Sequence, residues 1–342
     1  MGGSLLRSGN DYVRLASIIG DCIPVVSAMR GVTDKLVLAA QRQDINSLND
    51  VYDLYVDALN EVSPPNKALY MDLLRSIASS ALRYLLANNQ DAVIAHGELF
   101  SITIMAAALG TIGENARPVY DPGIIIEESR NGSSISGLSG FYVRQRLTSL
   151  INRGVIPVIP GFIGWFRNGR PGTLGRGGSD YTASLLAYYL GASRLTFYTD
   201  VPGIYSGDPR IVNNPRLVDS MSVEEAYVFS IMGGKKFHPK TFEPLIDTNI
   251  VAVITMPGSS TGTIISRKTK GGPKAVAVFD AARIGGRGYA VAVIGRMDPR
   301  EVPIRLDFRD RGGNAFGLVL NNEENAAAAA RSLHEWVISW AR

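Results

Sequence analysis

Apolar positions in the first two-thirds of the chain switch repeatedly between two periods. Residues 23–28 form a short β-branched run ending in small side chains, the pattern of a buried strand. Segments 117–120, 155–159, 194–198 and 250–255 read the same way. Between them, 36–41, 48–62 and 69–86 space apolar residues three and four apart, which predicts helices with one buried face. Residues 98–109 are apolar almost all round and predict a fully buried helix, and 179–190 predict another helix. Ser222 followed by Glu225 has the spacing of a capping box and opens one more. Such alternation predicts parallel strands joined by crossover helices. The expected fold is α/β, a three-layer α/β/α sandwich with a mainly parallel central sheet and ligands at the loops beyond the strand ends.

The rhythm changes at residues 266–273, SRKTKGGP. Beyond this break, 275–279, 289–294 and 316–320 predict strands and 323–340 a helix. The expected domains are therefore 1–268 and a small α+β module at 273–342. On the terminal helix, Leu333, Trp336, Val337 and Trp340 make one broad apolar face, suited either to the core of the small module or to a dimer contact. Residues 326–330 are five alanines in a row, good helix formers with no further message.

Composition narrows the classes. With 46% hydrophobic and 19% charged residues in 342, the chain can bury a sizeable core. No uninterrupted apolar run approaches the roughly 18 residues that would span a bilayer, so no membrane is expected. The net charge is +4, but Lys and Arg are scattered. Their densest group, Arg267, Lys268, Lys270 and Lys274, sits among Gly271, Gly272 and Pro273 and reads as a solvated linker, so no nucleic acid is expected. A modest positive excess suits small anionic ligands. Cys22 is the single cysteine, which excludes an internal disulfide. That fact and the lack of a basic, apolar leader place the expected location in the cytoplasm.

The segment most charged with chemistry is 161–180, GFIGWFRNGRPGTLGRGGSD. Gly172, Gly175, Gly177 and Gly178 fall within seven residues, which lets a backbone approach a ligand closely and take positive φ. Ser179 and Asp180 then open a helix, whose free N–H groups and dipole favour an anion. Arg176 adds a forked cation suited to a carboxylate. The loop is not a Walker A motif, because no G-x-x-x-x-G-K-[ST] occurs. A glycine cluster alone would be an ordinary turn; L-G-R-G-G-S-D after a buried strand and before a helix is far more specific.

This segment resembles the signature of aspartate kinases, within the amino-acid kinase fold. VVSAMRGVTD at 25–34, His96-Gly97-Glu98, TDVPGIYSGDPR at 199–210 and GGKKFHP at 233–239 resemble further motifs of that family, in the family's order. The resemblance implies that Ser27 and Thr33 line the substrate site and that Glu98 holds the substrate's ammonium group. It implies that Arg176 and Ser179 grip a carboxylate, and that Asp180 and the Gly2-Gly3 pair flank the transferring phosphoryl. Thr199, Asp200, Tyr205, Arg210 and Lys235 would contact ATP. The implied reaction is transfer of the ATP terminal phosphate to the side-chain carboxylate of L-aspartate with Mg²⁺, giving 4-phospho-L-aspartate at the head of the route to lysine, threonine and methionine. No protein metal ligand is assigned, and a homodimer or larger homo-oligomer is expected.

Simpler readings stand beside these. Glu98 could begin a helix, Thr33 and Asp34 could cap one, Asp208-Pro209 is a common turn pair, and Tyr205 could be core. His238 reads as a structural helix start and His96 as a supporting residue. Glutamate 5-kinase, acetylglutamate kinase and uridylate kinase share the fold, but LGRGGSD together with GGKKFHP argues against them.

Two departures carry expectations. The family opens with a buried strand ending in a lysine before G-G-[ST]; here Met1 precedes Gly2-Gly3-Ser4. The lysine and strand are expected upstream, the alternative being a catalytically weak nucleotide- or amino-acid-binding regulator. The tail has room for a single small module, and 316–336 resembles the closing strand and helix of an ACT module, so a reduced ACT-like domain is expected, without an evident opening helix.

Overall fold

The computed structural model describes residues 1–20, 22–129, 132–234 and 237–340. They fold as two compact units, Met1–Gly191 and Ala192–Arg342.

The first unit runs α1 (Gly9–Ile19), β1 (Val25–Val26), α2 (Val32–Arg42), α3 (Ile45–Val62), α4 (Lys67–Leu86), α5 (Gln90–Thr111), β2 (Ala116–Pro118), β3 (Ile125–Ser129), β4 (Gly132–Ile135), α6 (Ser139–Asn152), β5 (Ile156–Pro160), β6 (Ile163–Phe166), β7 (Pro171–Thr173) and α7 (Gly178–Leu190). Its central sheet is parallel, in the order β1-β5-β2, with Val25 beside Ile159 and Ala116 beside Ile156. Helix α5 packs on all three strands, and α6 and α7 pack against β5 and β1. A core of Val143, Leu147, Ile159 and Leu186 joins α6 and α7 to the sheet. A second sheet, β4-β3-β6-β7, mixes one parallel pair with two hairpins.

Helix α5 explains the long apolar pattern. It begins at Gln90, well before the fully apolar stretch, because the Asn89 side chain accepts the Ala92 N–H and caps it. Glu98 thus sits in mid-helix, and its reading as the acidic first residue of a helix is overturned. By length and composition α5 could cross a membrane, with a mean hydropathy of 1.7, but 94% of that stretch is buried inside the protein. It is the core rod on which α1 to α4 pack.

Strand β1 is two residues long, not six. Pro24 has no N–H to give, and past Val26 the backbone N–H groups of Ala28 and Met29 turn to side chains of α5 and α3. Helices α1 and α6 had escaped the periodicity. In α1 the signal was present: Tyr12, Leu15, Ala16 and Ile19 are all buried and follow i, i+3, i+4, i+7. In α6 only Ser139, Gly140, Val143 and Leu147 are buried, a stripe too narrow and polar to stand out.

The second unit holds β8 (Arg194–Tyr198), β9 (Ser220–Met221), α8 (Val223–Ile231), β10 (Val251–Thr255), β11 (Gly262–Ile265), β12 (Ala275–Asp280), β13 (Tyr289–Ile294), β14 (Phe308–Arg309), β15 (Ala315–Leu320) and α9 (Glu323–Trp340). One sheet is β8-β10-β11-β9, parallel at β8–β10 and β11–β9. The Ser222 hydroxyl and the Glu225 carboxylate form the expected capping box at α8. The other sheet, β12-β13-β15-β14, is antiparallel and covered by α9. Between β12 and β13 stands one turn of 3₁₀ helix, Ala281–Ile284, where an ACT module would carry its opening helix. The apolar residues of the buried stripe of α9 are Ala326, Ala330, Leu333 and Val337, with His334 buried among them. Trp336 packs at its side and Trp340 stays 43% exposed. The alanines, whose small size lets the helix sit close on the sheet, carry half of the face expected from the larger residues.

Candidate functional site

In the first unit, loops from four parts of the chain converge on a cleft of about 460 Å³. Gly2, Gly3, Ser27, Thr33, Glu98, Ser179 and Asp180 all line it. Arg176 is exposed in the loop before Gly177 and is not among the lining residues. Arg30, Asp34 and Phe162, to which the resemblance assigns no site role, line the cleft as well. Arg30 and Asp34 lie within the VVSAMRGVTD motif, which was their signal. Phe162 had none: it is a non-glycine residue at φ +66°.

Three consecutive residues of α5 do three different jobs, because a helix turns about 100° per residue. His96 is not among the lining residues; its ring lies tilted 5.6 Å from that of Tyr84, and its Nδ1–H donates to the Ala92 carbonyl at 2.6 Å. Burial pushes its pKa down to about 4, so it is a neutral structural residue. Gly97 lets α5 approach the loop after β1: a Cβ there would stand 3.0 Å from the Ala28 side chain. Glu98 reaches the cleft and is 2% exposed. One carboxylate oxygen, Oε1, accepts the Ala28 N–H at 3.2 Å. The other, Oε2, is buried with no hydrogen-bond partner among the described residues. Burial drives the carboxyl pKa up to about 8, against the smaller opposing effect of the Ala28 N–H. A buried carboxylate with one unpartnered oxygen is a receptor for a cationic hydrogen-bond donor.

The loop facing Glu98 is held from behind. Tyr55 Oη accepts the Met29 N–H at 3.0 Å and donates to the Gly97 carbonyl at 2.9 Å. Ser101 Oγ donates to the Ser27 carbonyl at 2.6 Å and lies 2.5 Å from Tyr12 Oη. These buried bonds, from α1, α3 and α5, fix the spacing between Ser27 and Glu98.

The opposite wall is the start of α7. Gly177 adopts φ +73° as its N-cap and, being glycine, brings no side chain to cap the helix. Residues 177–180 line the cleft, so the positive end of the helix dipole meets it. Close packing holds this start in place: a Cβ on Gly161, at the end of β5, would fall 2.7 Å from both Cβ and Oγ of Ser179. The Gly161→Ala variant is expected to lose about 1–3 kcal/mol of stability through overpacking and to displace Ser179. Thermal denaturation checks the first effect, and a variant that melts with the parent would show that the contact yields freely.

The expected nucleotide residues fall in the second unit. Tyr205 and Arg210 line an apolar pocket of about 390 Å³ with Ile204, Phe229, Phe237 and Val278. Gly233 and Gly234 of the GGKKFHP segment line it too. Lys235 lies outside the described residues. Arg210 is held in place by Asp208, with Nε to Oδ1 at 3.0 Å and Nη2 to Oδ2 at 2.6 Å. Thr199 and Asp200 are not lining residues. Thr199 is buried, donates its N–H to the Thr255 carbonyl and its hydroxyl to Asp200, and so ends β8. His238 caps a 3₁₀ turn through Nδ1, which accepts the Lys240 N–H, a structural helix start.

Two comparisons bear on the sequence. The profile of the amino acid kinase family matches residues 1–256. Lysine-sensitive aspartokinase 3 of Escherichia coli is 33% identical over 266 residues, covering 73% of this chain and 58% of the relative. Aspartokinase 1, chloroplastic, of Arabidopsis thaliana is 27% identical over 292 residues, covering 78% and 51%. The chain thus spans about half the length of the relatives it matches. Among solved structures, E. coli aspartokinase III in complex with aspartate and ADP superposes with a TM-score of 0.82 at 21% identity, covering 99% of this chain and 98% of that one. Clostridium acetobutylicum aspartate kinase gives 0.76 at 18% identity, covering 98% of each. At these identities the structural likeness speaks for the fold.

Proposed function

Because the chain belongs to the amino acid kinase family, we propose that it is an aspartate kinase, moving the γ-phosphoryl group of ATP onto the side-chain carboxylate of L-aspartate. The observation that carries this reading is the oxygen of Glu98 without a partner among the described residues, in one cleft with the start of α7, whose N-cap Gly177 has no side chain. A cation receptor and an anion receptor on opposite walls match the charges of an amino acid. An arriving ammonium would hydrogen-bond Oε2 and draw the carboxyl into its ionised form. The helix start would take a carboxylate beside Ser179 and Asp180.

Little acid–base work is needed, since the acceptor carboxylate is already ionised at neutral pH. The protein has to align two anions and offset their repulsion. The glycine-rich loop lets the backbone come close to them, and Arg210 in the second unit supplies positive charge for the nucleotide. Mg²⁺ fits this donor set. It binds through one or two carboxylates and the substrate's phosphates, and Asp180 would hold it. When bound, the ion neutralises charge on the phosphates. The products are ADP and 4-phospho-L-aspartate, a precursor for lysine, threonine and methionine. The same reading makes the protein cytoplasmic, with the module after residue 273 as a reduced ACT-like domain that pairs two copies.

A hydroxamate assay with aspartate, ATP and Mg²⁺ tests the activity. ATP binding without product would instead favour a nucleotide-binding regulator. Arg176 keeps its assignment to a substrate carboxylate from its place next to the cleft loop. Arg176→Ala is expected to raise the aspartate KM about tenfold or more, the loss of one charge-assisted bond, and to leave ATP affinity nearly intact. Equal losses for both substrates would reject that role.

A further inference from the structure

Ser206 sits between Tyr205 and Gly207 in the pocket loop and is itself buried. Its Oγ accepts the Arg216 N–H at 2.8 Å and meets His334 Nε2 of α9 at 2.8 Å. Its carbonyl accepts the Val276 N–H of β12 at 2.7 Å. Next to it, Gly207 leaves no room for a side chain: a Cβ would lie 2.6 Å from Val212 and 3.3 Å from His334. Arg216 Nη1 donates to the Ile338 carbonyl at 3.1 Å, a second tie to α9. His334 is 1% exposed, on the buried face of α9 beside Leu333 and Val337. Burial and the Arg216 charge lower its pKa, with Glu335 opposing, so the ring is neutral. With the neutral ring in the tautomer that leaves Nε2 as an acceptor, the Ser206 hydroxyl donates to it and still accepts the Arg216 N–H.

We propose that His334 is a positioning residue for nucleotide binding. Through Ser206 it holds the loop that carries Tyr205 and Arg210 in the shape that receives ATP. This rests on reading that pocket loop as the nucleotide site. A loop with glycines at 203 and 207 has many conformations to lose, and each bond that fixes it beforehand reduces what binding must spend on ordering. Arg210 owes its orientation to Asp208, two residues beyond Ser206, so a slack Ser206 also frees the Arg210 turn. The amino-acid cleft is built entirely from the first unit and has no part in this contact.

Isothermal titration of the full chain with ATP and, separately, with aspartate tests the proposal. His334→Leu is expected to weaken ATP binding about five- to tenfold, the loss of one buried hydrogen bond, with aspartate affinity changed less than about twofold. His334→Gln, whose amide oxygen can stand at the position of Nε2 and accept the Ser206 proton, should restore ATP affinity. Ser206→Ala, which also takes away the acceptor of the Arg216 N–H, should weaken ATP binding at least as much as His334→Leu, and the double variant should be no worse than Ser206→Ala alone. If His334→Leu folds poorly, Ser206→Ala and His334→Gln still decide the matter. Unchanged ATP affinity in His334→Leu and Ser206→Ala, or a Gln variant as weak as Leu, overturns the proposal. A parent chain that binds no ATP overturns the functional reading along with it, whereas a parent that binds and variants that do not differ overturn this inference alone.

Discussion

Replacing Glu98 with glutamine will make the free protein more stable at pH 8 while raising the aspartate KM about 100-fold or more, the loss expected when one partner of a buried ion pair is removed (about 3–5 kcal/mol). Both effects come from the same burial. The Glu98 carboxyl has an ordinary pKa of 4.5 in the unfolded chain and about 8 in the fold. Between these values the unfolded chain has released a proton that the folded one keeps. The unfolded state binds fewer protons there, so stability falls as pH rises from about 4.5 to 8 and is level above. Glutamine carries no such penalty. Its advantage over the parent should be absent near pH 4, grow through that window, and reach a few kcal/mol, at about 1.36 kcal/mol for each tenfold change in acid strength. Melting temperatures of both proteins across pH 4 to 9 check this, and parallel curves would refute the assignment. Aspartate binding in the parent should tighten as pH rises toward about 8, with a proton released below it, because the ammonium needs the ionised carboxylate. The glutamine variant should lose that dependence.

The second large effect is expected at Asp180. Asp180→Ala should lower turnover by about a thousandfold or more, a barrier rise of about 4 kcal/mol, with ATP affinity close to the parent's. Asp180 stands in the first turn of α7 and lines the cleft. An acid in that turn also favours the helix by about 0.3–1 kcal/mol. A purely structural Asp180 would therefore cost some stability and little rate. Turnover kept within about tenfold, a change of about 1.4 kcal/mol or less, would reduce it to a helix-favouring residue. Steady-state rates and ATP titration on one preparation separate the two outcomes.

Much of the site is legible in the order of residues alone. The motif residues Ser27, Thr33, Glu98, Ser179 and Asp180 do share one cleft, although Glu98 and Ser27 lie 71 positions apart in the chain. Arg176, from the same signature, stays outside that lining, and Thr199 and Asp200 stay outside the pocket that Tyr205 and Arg210 line. A motif gives residue types in a fixed order; where each side chain ends up depends on what packs behind it. The positive φ of Phe162 and the hydrogen bonds that Tyr55 and Ser101 make to the loop at Ser27 and Met29 left no mark in the residue pattern, because those bonds join parts of the chain far apart in sequence.

Local order settled whatever local physics controls. Strands β8 and β13 and helix α9 fall where hydrophobic periodicity put them, and α8 starts at its capping box, because each element follows from residues only a few positions apart. Tertiary structure alone decided which polar groups remain without partners. Glu98 Oε2 has no partner among the described residues because α5 is buried on every side, and Ser206 meets His334 because chain folding brings together residues 128 positions apart. Burial is what raises the Glu98 pKa to about 8, and burial belongs to the whole fold.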